Sequence, residues 1–274
     1  MVRRYIHGTC AREQERLIAQ AEQFAELHSS NLEVHPGERL LEIGCGVGAV
    51  LGVIGRNHPQ VSLHGIDISP EQIDGARRHL HSLGLSDAEL VVGDGATLPW
   101  PNNHFHRVKL VWVLEHLTNP LAVLQEALRV LKPGGTIHLT ETDYASLRTA
   151  PPDAAINTML QAFTAHFHRH GNAHAGPCLG PWLEEAGYGN VSNQMVGLHY
   201  WCPSQRNRVQ SFANYLLGFI SPEEQALINS CSDHAQQQAI REGFQRFAEL
   251  GKRDNASISI SIYQARGSKS ASLR

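Results

Sequence analysis

RLLEIGCGVGAVLGVIGRN, residues 39–57, compresses a strand, a turn and a helix into one stretch. Leu40, Leu41 and Ile43 form a short apolar run of the kind a buried parallel strand needs. Gly44, Gly46 and Gly48 interrupt it, and an apolar segment of helical length follows from Ala49 to Asn57. A glycine turn between strand and helix lets backbone approach a ligand and aims a helix N-terminus at it. With Gly44, Gly46 and Ala49 the loop fits G-x-G-x-x-G/A, the dinucleotide pattern. With Gly44, Gly46 and Gly48 it also fits E-x-G-x-G-x-G, led by Glu42. The loop alone does not choose.

Reading outward, the same alternation repeats. Strands are expected at 61–67, 89–92, 107–113 and 136–141, with helices at 49–57, from Pro70 onward and over 120–131. Ser69 is the cap of the second helix and Pro70 its first residue. Strand–helix alternation of this kind gives βαβ units and a doubly wound, mostly parallel α/β sheet. An amphipathic helix over 10–28, with Leu17, Ile18, Ala21, Phe24 and Leu27 on one face, precedes the sheet. The expected division is an N-terminal segment 1–36, an α/β core 37–148 and a helical cap 149–187. A C-terminal part of the sheet with a helical insertion follows at 188–266, then a disordered tail 267–274. Within 188–266, residues 187–201 read as a sixth strand and NASISISIYQAR (255–266) as a period-two edge or antiparallel strand.

The 274 residues suffice for one sizeable core plus a cap. A net charge of −3 without a Lys/Arg run leaves no electrostatic footprint for nucleic acid. No apolar stretch reaches the roughly 20 residues a membrane span needs. The five cysteines are scattered, without C-x-x-C, which suits a reduced cytoplasmic setting. Oligomeric state is not legible.

Further strand ends resolve the choice of loop. Asp67 lies nineteen residues past Gly48, where a carboxylate can accept from a ribose diol. VVGDGATLPW (91–100) then places Asp94 at a strand end, and VWVLEHL (111–117) and LKPGG (131–135) follow in order. Residues 39–143 resemble the class I S-adenosylmethionine-dependent methyltransferases, motif by motif. YIHGTCAREQERL (5–17) is similar to the opening of a small-molecule branch of that family. The resemblance implies a Rossmann-like seven-stranded fold and S-adenosyl-L-methionine as cofactor. It also implies roles. Gly44, Cys45 and Gly46 would line the methionine part, and Glu42 would steady the loop and the ammonium region. Asp67 would hold the ribose and Ile68 pack on the adenine. Asp94 and Gly95 would read the adenine edge, the Val111 carbonyl would accept from the amino group, and Tyr5 would close the site. Two positions depart from the pattern, His106 for an aspartate and Trp100 for a phenylalanine.

For catalysis, Asp143 and Tyr144 lie just past the fifth strand, where a carboxylate could orient an amine or take a proton. Glu141 beside them has the same two readings, substrate side or capping. His166, His170 and His174 recur at helical spacing, but no carboxylate or cysteine accompanies them at ligand spacing. Glu115-His116 is a pair that packs the helix after the fourth strand. No metal is expected. The activity implied is methyl transfer to a small molecule through an N, O or S nucleophile. Two alternatives are a non-methyl use of the cofactor, such as cyclisation of its aminocarboxypropyl group, and a non-catalytic nucleoside-binding module.

Overall fold

Strand–helix alternation is present in the structure, a computed structural model that describes residues 10–29 and 32–271. The elements run α1 (Ala11–Gln23), α2 (Ala25–Ser29), β1 (Arg39–Ile43), α3 (Ala49–Asn57), β2 (Ser62–Asp67), α4 (Pro70–Ser82) and β3 (Glu89–Val92). There follow β4 (Phe105–Val111), a 3-10 turn (Leu114–His116), α5 (Pro120–Val130), β5 (Leu131–Ala150), α6 (Ala154–His170) and α7 (Ala175–Glu185). The chain ends with β6 (Gly189–Trp201), α8 (Arg206–Ile220), α9 (Glu224–Asn229), α10 (His234–Ala248) and β7 (Ser257–Ser268). It divides into two compact units. A sheet unit holds the described residues up to 141 together with 177–194 and those from 264 onward. A helical unit holds 142–176 and 195–263.

In the sheet unit the strand order is β3-β2-β1-β4-β5-β7-β6. The first five strands pair in parallel. β7 turns back: Lys269 exchanges backbone bonds with Gly134 and Gly135, and Ser268 meets Gly189 of β6. Local chemistry accounts for the helix starts. The Ser69 hydroxyl accepts the Gln72 amide at 3.2 Å with Pro70 as first helical residue, as the sequence predicts. Asn119 does the same for Ala122 ahead of Pro120. The α1–α2–α3 side of the sheet buries Leu40, Cys45, Leu51 and Val111 against Ala21 and Leu32.

That side also carries charge. Parallel register aligns Glu42 of β1 with Lys109 of β4, and Lys109 with His138 of β5, so the three share one face. All three are buried. His28 of α2 is buried as well, and neither of its ring nitrogens has a hydrogen-bond partner among the described residues. Burial, helped by the Lys109 charge, pushes His28 and His138 each down to about 3, so both are neutral.

Several expectations need correction. The single helix over 10–28 is two, because Phe24 leaves helical geometry and sets its ring 5.6 Å from Trp112. β4 stops at Val111 rather than Val113, since Trp112 takes φ 53°, which no strand can accommodate. β5 extends beyond 136–141 in both directions. The tail expected from 267 is paired through Lys269, whose ammonium also donates to the Arg129 and Leu131 carbonyls. The two compact units meet along the chain at 142, 177, 195 and 264. Residues 177–194 belong with the sheet because Leu179 and Leu183 are buried and the Tyr188 hydroxyl donates to the Leu124 carbonyl at 2.9 Å.

The helical unit is built on α6 and α10. Asp153 caps α6 through the Ala155 and Ile156 amides and also receives Arg253 at 3.1 Å. Tyr144, Phe163, Phe167 and Phe219 form its aromatic core. Gly243 of α10 packs so closely on α6 that a Cβ would lie 2.5 Å from the Ala155 carbonyl oxygen and 2.6 Å from Met159 Cβ. Gly243→Val is therefore expected to destabilise this unit by about 1–3 kcal/mol, overpacking outweighing the gain in helix propensity. A fall in urea midpoint checks this; a rise would mean the two helices can separate freely. Among the described residues, no helix is long and apolar enough to cross a membrane.

Candidate functional site

β1 delivers the glycine loop at its carboxyl end. Gly44, Gly46 and Gly48 all have positive φ (71°, 49° and 67°), and α3 starts directly after them. Gly44 has a second reason to be glycine: a Cβ there would stand 2.5 Å from Val113 Cγ2. The Gly44 and Cys45 amides both donate to the Ile66 carbonyl, which ties the loop to β2.

Asp67, last residue of β2, closes the loop from the other side. One carboxylate oxygen accepts the Gly46 amide at 2.8 Å and the other accepts the Ser69 amide at 2.9 Å. Each oxygen keeps a further lone pair for a hydroxyl donor. Burial pushes the Asp67 carboxyl up, opposed by the Ser69, Gly46 and Ile68 amides. Ile68 follows with 51% of its surface exposed, an unusual state for an isoleucine beside a buried acid. Asp94 lies exposed in the loop after β3, one oxygen accepting the Ala96 amide at 2.9 Å. The neighbouring Gly95 has no room for a side chain, with Ile43 Cγ2 2.7 Å from a would-be Cβ. Val111 ends β4 beside Trp112.

Glu42 lies beneath the loop, only 2% exposed. Burial pushes its carboxyl up to about 8, opposed by Lys109 and the Leu51 amide. Its Oε2 has no hydrogen-bond partner among the described residues. Burial also pushes the Cys45 thiol up, so Cys45 is a packing residue with no thiolate character. Tyr5 lies outside the described residues. The sheet unit thus brings together Glu42, the glycine loop, Asp67 and Ile68, with Asp94, Gly95 and Val111 on the next strand ends. The two departures from the family pattern are scaffold. His106 Nδ1 accepts the Arg39 amide, and the Trp100 indole donates to Glu89.

In the helical unit, Asp143 accepts the Ala145 amide at 3.2 Å and meets His174 Nδ1 at 3.1 Å. His174 leaves 48% of its side chain exposed. No local pattern marks this pairing, because the partners stand 31 residues apart and His174 reads as one of a histidine series. Tyr144 is buried, its ring 4.9 Å from Phe167 and 5.7 Å from Phe163, which gives it a packing role. His166 meets Glu223 at 3.2 Å, and its ring lies 4.8 Å from that of His170, tilted by 50°. Among the described residues, no three histidines, cysteines or carboxylates converge as metal ligands.

Glu141, read from the sequence as facing substrate or capping, turns inward. Its Oε1 accepts the Val113 and Leu114 amides at 2.9 and 2.7 Å. Glu115 and His116 meet at 3.4 Å in the 3-10 turn. Burial pushes His116 down to about 4.

The chain is similar to several known proteins. The methyltransferase domain family matches residues 41–139, from the glycine loop through the first part of β5. A 37.1 kDa protein in transposon TN4556 of Streptomyces fradiae is 37% identical over 136 residues, 49% of this chain and 38% of that protein. The match therefore spans well under half of that relative. An uncharacterized methyltransferase of Schizosaccharomyces pombe is 28% identical over 220 residues, covering 77% of this chain and 78% of its own. Among solved structures, the YcgJ protein from Bacillus subtilis aligns over 91% of this chain and 99% of its own, with TM-score 0.56 and 18% identity. At that identity the likeness is one of fold.

Proposed function

We propose, from a chain whose residues 41–139 belong to the class I S-adenosylmethionine-dependent methyltransferases, that the protein transfers a methyl group to a small-molecule acceptor. The observation that carries this reading is Asp67, held by the Gly46 and Ser69 amides and followed by an exposed isoleucine. A carboxylate so fixed offers its remaining lone pairs to a vicinal diol, and Ile68 offers a flat apolar surface to a purine. These residues fit S-adenosylmethionine, which supplies an electrophilic methyl on a sulfonium.

The rest of the proposal concerns what this chain does around that group. Backbone of Gly44, Cys45 and Gly46 lines the amino-acid end, and the Glu42 carboxyl beneath the loop steadies it and the ammonium region. Asp94 and the Gly95 amide read the adenine edge, and the Val111 carbonyl accepts from the amino group. Tyr5 closes the site. Methyl transfer asks mainly for alignment of the nucleophile and exclusion of water, and a base only where the acceptor must lose a proton. Asp143 is the group assigned to that task, with His174 on its carboxylate. The net charge of −3 fits a small N, O or S acceptor better than a polyanion.

The test starts with the purified protein and cofactor alone, followed by the same mixture with a panel of small amines, phenols and thiols. Acceptor-dependent release of S-adenosylhomocysteine is expected. Consumption without acceptor would point to self-cyclisation, and tight binding without any turnover to a binding module.

A further inference from the structure

We propose that Glu141 is a positioning residue whose carboxyl fixes the turn after β4 and, through Val113, sets the glycine loop at Gly44. This rests on the reading above that the loop holds the cofactor. The turn needs fixing. Trp112 adopts a left-handed backbone at φ 53°, which a bulky residue holds only when its surroundings impose it. The Trp112 amide donates to the Thr140 carbonyl at 2.9 Å, and the next two amides converge on one oxygen of Glu141. Glu141 is fully buried on β5, two strands from the loop in the order β1-β4-β5. Val113, pinned by its amide, places Cγ2 in the space over Gly44 that any side chain there would need. Glu141 within β5, Val113 after β4 and Gly44 after β1 thus form one chain of contact.

The groups that face this carboxyl can also switch it. Glu115 of the 3-10 turn hydrogen-bonds to Glu141 through its carboxyl, and His116 stands 3.4 Å from Glu115. Burial pushes Glu141 up to about 7, opposed by the Leu114 and Val113 amides and by Glu115. Loss of the Glu141 proton places a charge in a fully buried site beside the Glu115 carboxyl, which disfavours the packed arrangement of the turn. Affinity for the cofactor should therefore fall as pH rises through about 7.

The experiment is calorimetric titration of the full chain with S-adenosylhomocysteine between pH 6 and 8.5, for wild type, Glu141→Gln, Glu141→Leu and Asp67→Ala. Gln keeps an oxygen for the two amides and an NH2 group for Glu115. It is expected to bind within about twofold of wild type at pH 6 and to lose the fall near pH 7. Leu removes the acceptor and is expected to bind about tenfold or more weakly. A Gln variant with an unchanged pH profile, or a folded Leu variant with wild-type affinity, overturns the proposal. If Leu fails to fold, the Gln profile still decides. Should Asp67→Ala alone lose affinity, the cofactor reading stands and the role of Glu141 falls. Wild type that binds no S-adenosylhomocysteine overturns both.

Discussion

Asp67→Ala is expected to weaken S-adenosylhomocysteine binding by about 2–3 kcal/mol, roughly 30- to 150-fold. Two losses add in this number. The variant gives up charge-assisted hydrogen bonds to the ribose diol. It also releases the Gly46 amide, which Asp67 holds at 2.8 Å, so the loop must be ordered at the expense of binding. Asp67→Asn separates the two. The amide oxygen can still accept from Gly46, so the loop stays held, but the NH2 group cannot accept the Ser69 amide, so the charge and one backbone bond are lost together. About a tenfold loss is expected for Asn. Titration calorimetry on folded protein measures both, and unchanged affinity in Asp67→Ala would remove the carboxylate from the site.

The second large effect is on stability and concerns Lys109. Lys109→Ala is expected to cost about 2–5 kcal/mol, since it empties a fully buried volume. Lys109→Met keeps the volume and isolates the charge. Burial lowers the lysine to about 8, opposed by Glu42, and raises Glu42 to about 8, opposed by Lys109. The signs follow by linkage. Glu42 keeps its proton in the fold where the unfolded chain has lost it. Its stabilisation is complete below its ordinary range and is lost as pH rises through about 8. Lys109 loses its proton in the fold while the unfolded chain still holds one, so stability rises with pH above about 8. Wild type should therefore stop losing stability from this pair near pH 8 and recover above it. In Lys109→Met the recovery is absent, and Glu42, without its cation, goes on losing stability at higher pH. Each group sets a slope of about 1.4 kcal/mol per pH unit while it titrates. Urea unfolding at pH 6 to 10 checks this; parallel curves for the two proteins would show that Lys109 and Glu42 do not interact.

How much of this was legible in the sequence differs by feature. The order of strands and helices was, because apolar runs, glycine turns and the Ser69-Pro70 cap act locally. Asp67 and the loop were legible because they occupy strand ends at fixed spacing. The Asp143–His174 and Glu141–Val113 contacts were not, since each joins segments about thirty residues apart with no local pattern. The break at Phe24 was hidden for a related reason: the residue fits the amphipathic face of α1 and departs only to reach Trp112. Local patterns do not mark where one unit gives way to the other, because β5, β6 and β7 each pass between them.

The row of Glu42, Lys109 and His138 also decides how the central strands find their alignment. Their neighbours, Leu40 and Leu41 on β1, Val108 and Leu110 on β4, Ile137 and Leu139 on β5, are nearly interchangeable apolar side chains. Greasy strands of this kind are poorly distinguished from copies of themselves shifted along the chain. A slip of one residue throws Lys109 to the opposite face of the sheet. A slip of two keeps the face but carries Lys109 away from Glu42, opposite Leu40 in one direction and opposite Gly44 in the other. Every misaligned sheet then carries the Lys109 amine away from the Glu42 carboxyl and against hydrocarbon, a fault worth several kcal/mol that an apolar row would never report. Buried charge here serves as proofreading, rejecting the shifted pairings that an all-apolar row would tolerate.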